Sequence, residues 1–189
     1  MATLYYRGHK MTRWPALNIR NEYALLRHEM IRPEAWEAAQ RDATTRTKFE
    51  YAITATYHRC FLGAEAFVCF AVFATGLVVE CGLDAKSLHD KIINPMASFP
   101  GKGTAGAFYD ALPSLLSPDI ALSVADPALH SEIRTLYKEL RNPLFHGYQV
   151  VECTRTDMVG VFEHFDALYA WMDGWYVPPV VERDRPDPT

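Results

Sequence analysis

Apolar residues recur at helical spacing along most of the chain. Between residues 127 and 142 they fall three or four positions apart and form one face, made of Leu129, Ile133, Leu136 and Leu140. Asp126 followed by Pro127 is typical of an N-cap and a first helical position, so this helix should run from Pro127 to about Asn142. Comparable patterns predict helices at Asn18–Ile31, Pro33–Thr44, Thr47–Cys81, Ala85–Met96, Thr104–Leu116 and from Thr156 or Asp157 to about Trp171–Asp173. The pattern predicts an all-α protein.

Glycine, proline and polar residues divide these helices. The strongest break is Ala97–Gly103, and Ser117–Ala125 is predicted to be irregular. Pro143 should force Asn142 out of helical geometry. Tyr148–Thr154 is the only strand-like stretch. We expect one helical domain over residues 1–175 and a proline-rich tail over 176–189.

The segment Phe61–Val79 is nineteen residues long and contains one charged residue, Glu65. Its length is close to that of a membrane span, but a helix buried on all sides of a bundle has the same composition. Gly63, Gly76 and the lack of a positive cluster after the segment favour a buried core helix. Glu65 should then pair with an interior arginine or histidine.

Composition narrows the functional classes. The net charge of −4 over 189 residues argues against a general nucleic-acid coat protein, but it allows an enzyme with a local positive cleft. The four cysteines form no metal-binding spacing and are predicted to be reduced, and the N-terminus has no apolar signal segment. We therefore expect a cytoplasmic protein with no bound metal or cofactor and no stable membrane association.

The residues with the clearest chemistry lie between 141 and 148. Arg141 and His146 are five positions apart, Asn142 follows the arginine, and Tyr148 comes two residues after the histidine. This set offers a permanent cation, a group that titrates near neutrality and two neutral hydrogen-bonding groups, which suits a phosphodiester substrate. Upstream, a predicted basic helix face leads to the same end and consists of His130, Arg134, Lys138 and Arg141.

The pattern R-N-x3-H-x-Y at Arg141–Tyr148 resembles the R-x4-6-H signature of HEPN domains. Its longer form is similar to toxins that are paired with a small nucleotidyltransferase antitoxin. The resemblance implies a HEPN-like antiparallel helical bundle, here with additional N-terminal helices, that forms a homodimer with the motifs facing one cleft. It also implies an endoribonuclease, and a partner antitoxin that adenylylates the tyrosine at position 148.

For this activity we expect Arg141, Asn142 and His146 to be catalytic. His146 would transfer a proton while the 2′-hydroxyl attacks its own phosphate, Arg141 would stabilise the phosphoryl charge, and Asn142 would orient the phosphate or His146. The predicted substrate-binding residues are Arg134, Lys138 and Tyr148. A solvent-facing site also implies that replacing Arg141 or His146 by alanine changes stability by no more than about 1 kcal/mol.

Two other functions fit the same residues. A HEPN-like module could bind nucleotide or RNA without catalysis, and a helical protein-interaction or membrane-associated module could carry the motif merely as a helix end. A further segment, Gly101-Lys102-Gly103-Thr104, is similar to a phosphate loop. It lacks the upstream glycine and the preceding strand of that motif, so it is not predicted to be one.

Overall fold

The structure is a computed structural model that describes residues 4–6, 9–11, 15–79, 81–147 and 153–178, with side chains from residue 18 onward within these ranges. Helices dominate these ranges, which confirms the predicted all-α class. The α-helices are α1 (Pro15–Met30), α2 (Pro33–Arg41), α3 (Ala43–Val78), α4 (Ala85–Ile93), α5 (Pro95–Ser98), α6 (Gly103–Gly106), α7 (Leu122–Ala125), α8 (Pro127–Leu136), α9 (Asn142–Phe145) and α10 (Arg155–Asp173). Shorter turns join them: two π-turns at Ala107–Ala111 and Tyr137–Arg141, and two 3-10 turns at Pro113–Leu115 and Pro118–Ile120.

Two short strands precede the helices. β1 (Leu4–Tyr6) and β2 (His9–Met11) pair antiparallel, with Leu4 opposite Met11. The sequence pattern did not predict this hairpin, since three-residue strands are too short to show an alternating pattern. The predicted strand-like stretch falls mostly on residues 148–152, which lie outside the described residues.

Side-chain caps begin several helices where the sequence predicted them. The Asp84 carboxylate accepts a hydrogen bond from the Ser87 N–H at 2.7 Å, and Asp126 accepts one from the Leu129 N–H at 3.0 Å. Thr154 and Asp157 form a reciprocal capping box that begins α10 at Arg155. The predicted starts of α4 and α8 are therefore confirmed, and α10 begins one residue earlier than the earliest start predicted.

The long helix α3 is the centre of the core, and α1, α2, α4 and α10 all pack against it. Phe61 of α3 is fully buried and contacts both the α8–α9 region and α10, with ring centroids 5.0 Å from Tyr137 and 5.2 Å from Phe165. Gly76 allows close packing of α4, because a Cβ atom there would lie 2.5 Å from a methyl group of Leu88. The predicted core role of this segment is confirmed for the described residues.

By length and composition, α3 could also cross a membrane. Its most apolar 18-residue window has a mean hydropathy of 2.0, and 61% of that window is buried within the structure. Core helices of soluble proteins pass the same test. The expectation that the protein has no stable membrane association stays a prediction.

The first residues after α10 pack against the helical bundle. The Val177 N–H donates to the Thr75 hydroxyl at 3.0 Å, and the Tyr176 ring lies 5.8 Å from that of Phe67. The start of the predicted tail is therefore docked, and residues 179–189 lie outside the described residues.

Candidate functional site

The helix that carries the motif does not break at Pro143. It runs from α8 through the π-turn Tyr137–Arg141 into α9, and Asn142 keeps helical angles of φ −62° and ψ −46°. The predicted helix end at Asn142 is therefore wrong. Within a helix, a proline ring conflicts with the carbonyl group four residues earlier. Here that carbonyl belongs to Glu139, inside the wider π-turn, which explains how the helix continues past the proline.

The π-turn also changes which side chains share a face. The Asn142 N–H bonds to the Tyr137 carbonyl five residues earlier, so the turn acts as one inserted residue. As a result Asn142 joins Arg134 and Lys138 beside a surface cleft, while Arg141 turns towards α3. The predicted basic face is confirmed for His130, Arg134 and Lys138 and is wrong for Arg141.

Arg141 forms a bidentate ion pair with Glu65 of α3. Its Nε and Nη2 atoms lie 2.7 Å and 3.2 Å from the two carboxylate oxygens, and the side chains are 16% and 8% exposed. The predicted pairing of Glu65 with an interior arginine or histidine is thus confirmed. Because the pair is largely removed from water, the expectation that Arg141 lies in a solvent-facing site is wrong.

Two tyrosines extend this ion pair into the core. The Tyr137 hydroxyl lies 3.0 Å from Glu65 Oε1 and donates to it, and the Tyr109 hydroxyl lies 2.7 Å from that of Tyr137. Burial raises the pKa of Tyr137 well above its ordinary value, and the nearby Tyr109 and Glu65 raise it further. Tyr137 therefore stays protonated and can donate to the carboxylate. The network joins α3, both π-turns and the motif.

The end of α9 holds the remaining motif residues. The Arg141 guanidinium stacks over the Phe145 ring at 4.3 Å, and the His58 ring of α3 lies 4.8 Å from the same phenyl ring. His146 is exposed and caps α9, with its backbone N–H donating to the Asn142 carbonyl at 3.1 Å. Gly147 follows with φ at +75°, a left-handed conformation that ends the helix. Tyr148 lies outside the described residues.

A cleft of about 450 Å³ lies beside this helix and is rich in cations. Arg134 and Lys138 of the predicted basic face line it, together with Lys102 from the loop before α6 and Thr104 from α6 itself. Asn142 also lines the cleft, and among the described residues of the motif it is the one that does so. The contribution of Lys102 was missed, since the short segment around it does not fit the phosphate-loop pattern. Two flanking glycines were the available signal: Gly101 and Gly103 have φ values of +82° and +70° and shape the loop.

His130 also lines the cleft, and a carboxylate holds it. Its Nε2 atom lies 2.9 Å from Asp110 Oδ2, and the other Asp110 oxygen accepts the Ser123 N–H at 2.8 Å. Asp110 belongs to the π-turn after α6, so this contact ties that turn to α8. The side chain of His130 is 16% exposed, so the cleft contains a partly buried, fixed imidazole.

The chain was compared with known protein families, proteins and structures. No protein-family model, curated protein or solved structure matches the chain. Function must therefore be argued from the motif and from the geometry of the cleft beside it.

Proposed function

We propose that the protein is a metal-independent endoribonuclease of HEPN type that binds RNA along the cationic cleft. The observation that carries this proposal is the position of Asn142. It belongs to the motif and also borders the cleft formed by Arg134 and Lys138. Cations at this cleft can hold phosphates, while the net charge of the chain would otherwise repel RNA. The local positive charge of the cleft thus supports binding of an anionic substrate, although the protein as a whole is acidic.

The proposed reaction uses only what ribose and the motif supply. His146 takes the proton from the 2′-hydroxyl or gives one to the leaving 5′-oxygen. The O2′–P bond forms as the P–O5′ bond breaks, which leaves a 2′,3′-cyclic phosphate and a 5′-hydroxyl. Asn142 orients the phosphate, and Arg134 and Lys138 bind the strand. DNA has no 2′-hydroxyl and would not react by this route.

The ion pair with Glu65 limits how Arg141 can act in this reaction. Arginine has five N–H donors, and Glu65 engages those of Nε and Nη2 at one edge of the guanidinium. The ion pair fixes the guanidinium plane, and the remaining donors are those proposed to contact the phosphoryl oxygens. Arg141 would then stabilise the negative charge on the phosphoryl oxygens mainly through directed hydrogen bonds. The positive charge of Arg141 would contribute less, because Glu65 compensates it.

The proposed assembly is a cytoplasmic homodimer. One histidine cannot conveniently act as both acid and base on opposite sides of phosphorus, and the motif of a second subunit, facing the first in a dimer, would supply the other group. The resemblance to HEPN toxins further suggests a nucleotidyltransferase-like antitoxin partner and a role for Tyr148 as its target.

A second candidate function is RNA or nucleotide binding without cleavage. The ion pair between Arg141 and Glu65 favours it, because a compensated guanidinium contributes less to stabilising a developing phosphoryl charge. The two functions predict the same cleft residues and differ only in the products formed.

The experiment that tests cleavage is incubation of RNA with the protein in EDTA, followed by analysis of the product ends. The wild type should give 2′,3′-cyclic phosphates, and His146→Ala should lose at least about a hundredfold in rate. His28→Ala is the matched control, since His28 is also an exposed histidine but lies on α1. Intact RNA with the wild type, together with measurable binding, would favour the second candidate. Equal rates for His146→Ala and His28→Ala would remove His146 from the mechanism.

A further inference from the structure

The cationic cleft holds more positive charge than a single RNA phosphodiester would balance. Lys102, Arg134 and Lys138 share a cavity of about 450 Å³, and none of the described residues that line it is acidic. Among the residues that the structure describes, these three side chains form no salt bridge, whereas Arg20, Arg27 and Arg141 each pair with a carboxylate. Three cations that have no carboxylate partner among the described residues therefore line one cleft.

These three exposed cations repel one another, and an anion bound in the cleft would relieve that repulsion. Arg134 and Lys138 are four residues apart on one helix face, where like charges repel, and Lys102 adds a third charge from the loop before α6. Each phosphodiester along a strand carries one negative charge. A terminal phosphate or a polyphosphate carries two or more at one place, which matches the cluster better.

Neutral donors complete the site. Thr104 and Ser131, which carry hydroxyl groups, and Asn142, which carries an amide, also line the cleft. These groups can donate to phosphoryl oxygens that the cations leave free. His130, held by Asp110, contributes a fixed imidazole to the same wall. The donor set suits the several oxygens of a terminal phosphate group.

We infer that this cleft is a binding site for a phosphate group that carries two or more negative charges, as found in a nucleoside polyphosphate or at the 5′ end of RNA. Lys102, Arg134 and Lys138 bind the charge, and the loop around Lys102 closes one side of the group. The inference rests on the proposed binding of RNA or nucleotide at this cleft and specifies the phosphate group that the cleft prefers. It requires no cleavage, so its failure and that of the proposed nuclease are distinguishable.

Binding can be measured without cleavage by using a labelled oligonucleotide with 2′-O-methyl riboses. Fluorescence anisotropy of this probe with a 5′-triphosphate is compared with that of the same probe with a 5′-hydroxyl. The triphosphate should bind at least about tenfold more tightly, as expected for charge-assisted hydrogen bonds. Equal affinities would overturn the inference, because the cleft would then bind backbone phosphates alone.

Matched variants assign the effect to the cleft. Lys102→Ala and Arg134→Ala should each remove most of the triphosphate preference. Lys48→Ala and Arg46→Ala, which change exposed cations on α3 outside the cleft, should keep it. Circular dichroism checks that all four variants fold. Loss of the preference in the α3 variants as well, or its retention in both cleft variants, would contradict the assignment.

A competition experiment separates the two sources of the phosphate. If a free nucleoside triphosphate displaces the labelled probe, the phosphate group is sufficient and a nucleotide is the ligand. If only unlabelled 5′-triphosphate RNA displaces it, the ligand is an RNA end. Either result supports the site. If neither competes more strongly than 5′-hydroxyl RNA, the inference is wrong.

Discussion

Arg141 has a structural role in a buried ion pair and a proposed chemical role in binding phosphate. Its guanidinium is held by Glu65, stacked on Phe145 and linked through the carboxylate to Tyr137. A substitution there removes the proposed phosphate contact and also leaves a buried carboxylate without its cation. His146 is exposed at the end of α9 and carries no comparable buried charge. His146 is therefore the better position for separating activity from stability.

We predict that Arg141→Ala lowers the free energy of unfolding by about 3 kcal/mol, because Glu65 would stay buried and uncompensated. Arg59→Ala is the control: its ion pair with Glu22 has side chains 61% and 56% exposed. That substitution should cost less than about 1 kcal/mol. Urea denaturation measures both. Equal small losses would show that the Arg141–Glu65 pair contributes no more than a surface pair.

The continuous helix of α8, the π-turn and α9 shows how far local patterns predict an element. Asp126 and Pro127 predicted its start, and the apolar spacing predicted its core face, because both depend on nearest neighbours in sequence. The π-turn could not be predicted in this way. It is accompanied by contacts of Tyr137 and Arg141 with Glu65, which is more than seventy residues away in the chain.

We predict opposite effects for two glycine substitutions, one at the end of this helix and one within α10. Gly147→Ala should destabilise the protein by about 1 kcal/mol, because Gly147 has φ at +75° although no atom would clash with a Cβ. Gly160→Ala lies within α10 in equally open space and should stabilise it by about 0.5 to 1 kcal/mol. Thermal unfolding would measure the two variants against wild type. A stabilising Gly147→Ala would contradict the left-handed end of α9.

For the whole molecule, the helical class and the central position of α3 were predictable, because helical periodicity and a long apolar segment are local signals. The cleft was only half predictable. Arg134 and Lys138 belong to one helix pattern, whereas Lys102 reaches the cleft through tertiary packing about thirty residues away. The pairing of His130 with Asp110 has the same origin, since no local spacing connects these two residues.

The proposed composite site leads to a prediction about assembly. Light scattering at micromolar concentration should give twice the chain mass of 21.5 kDa. The physical reason is that two motifs are needed to supply an acid and a base on opposite sides of one phosphate. A chain that cleaves RNA while remaining a monomer would contradict the composite site and leave the cleft assignment unaffected.

The decisive test of the proposed reaction is cleavage of one RNA oligonucleotide with and without a single 2′-deoxyribose at the cleaved position, in EDTA. We predict that the all-ribose strand is cut there and that the substituted strand resists cleavage at that position alone, because the attacking hydroxyl is missing. Cleavage at the deoxyribose, or cleavage of the all-ribose strand only after magnesium is added, would contradict a metal-independent reaction through the 2′-hydroxyl.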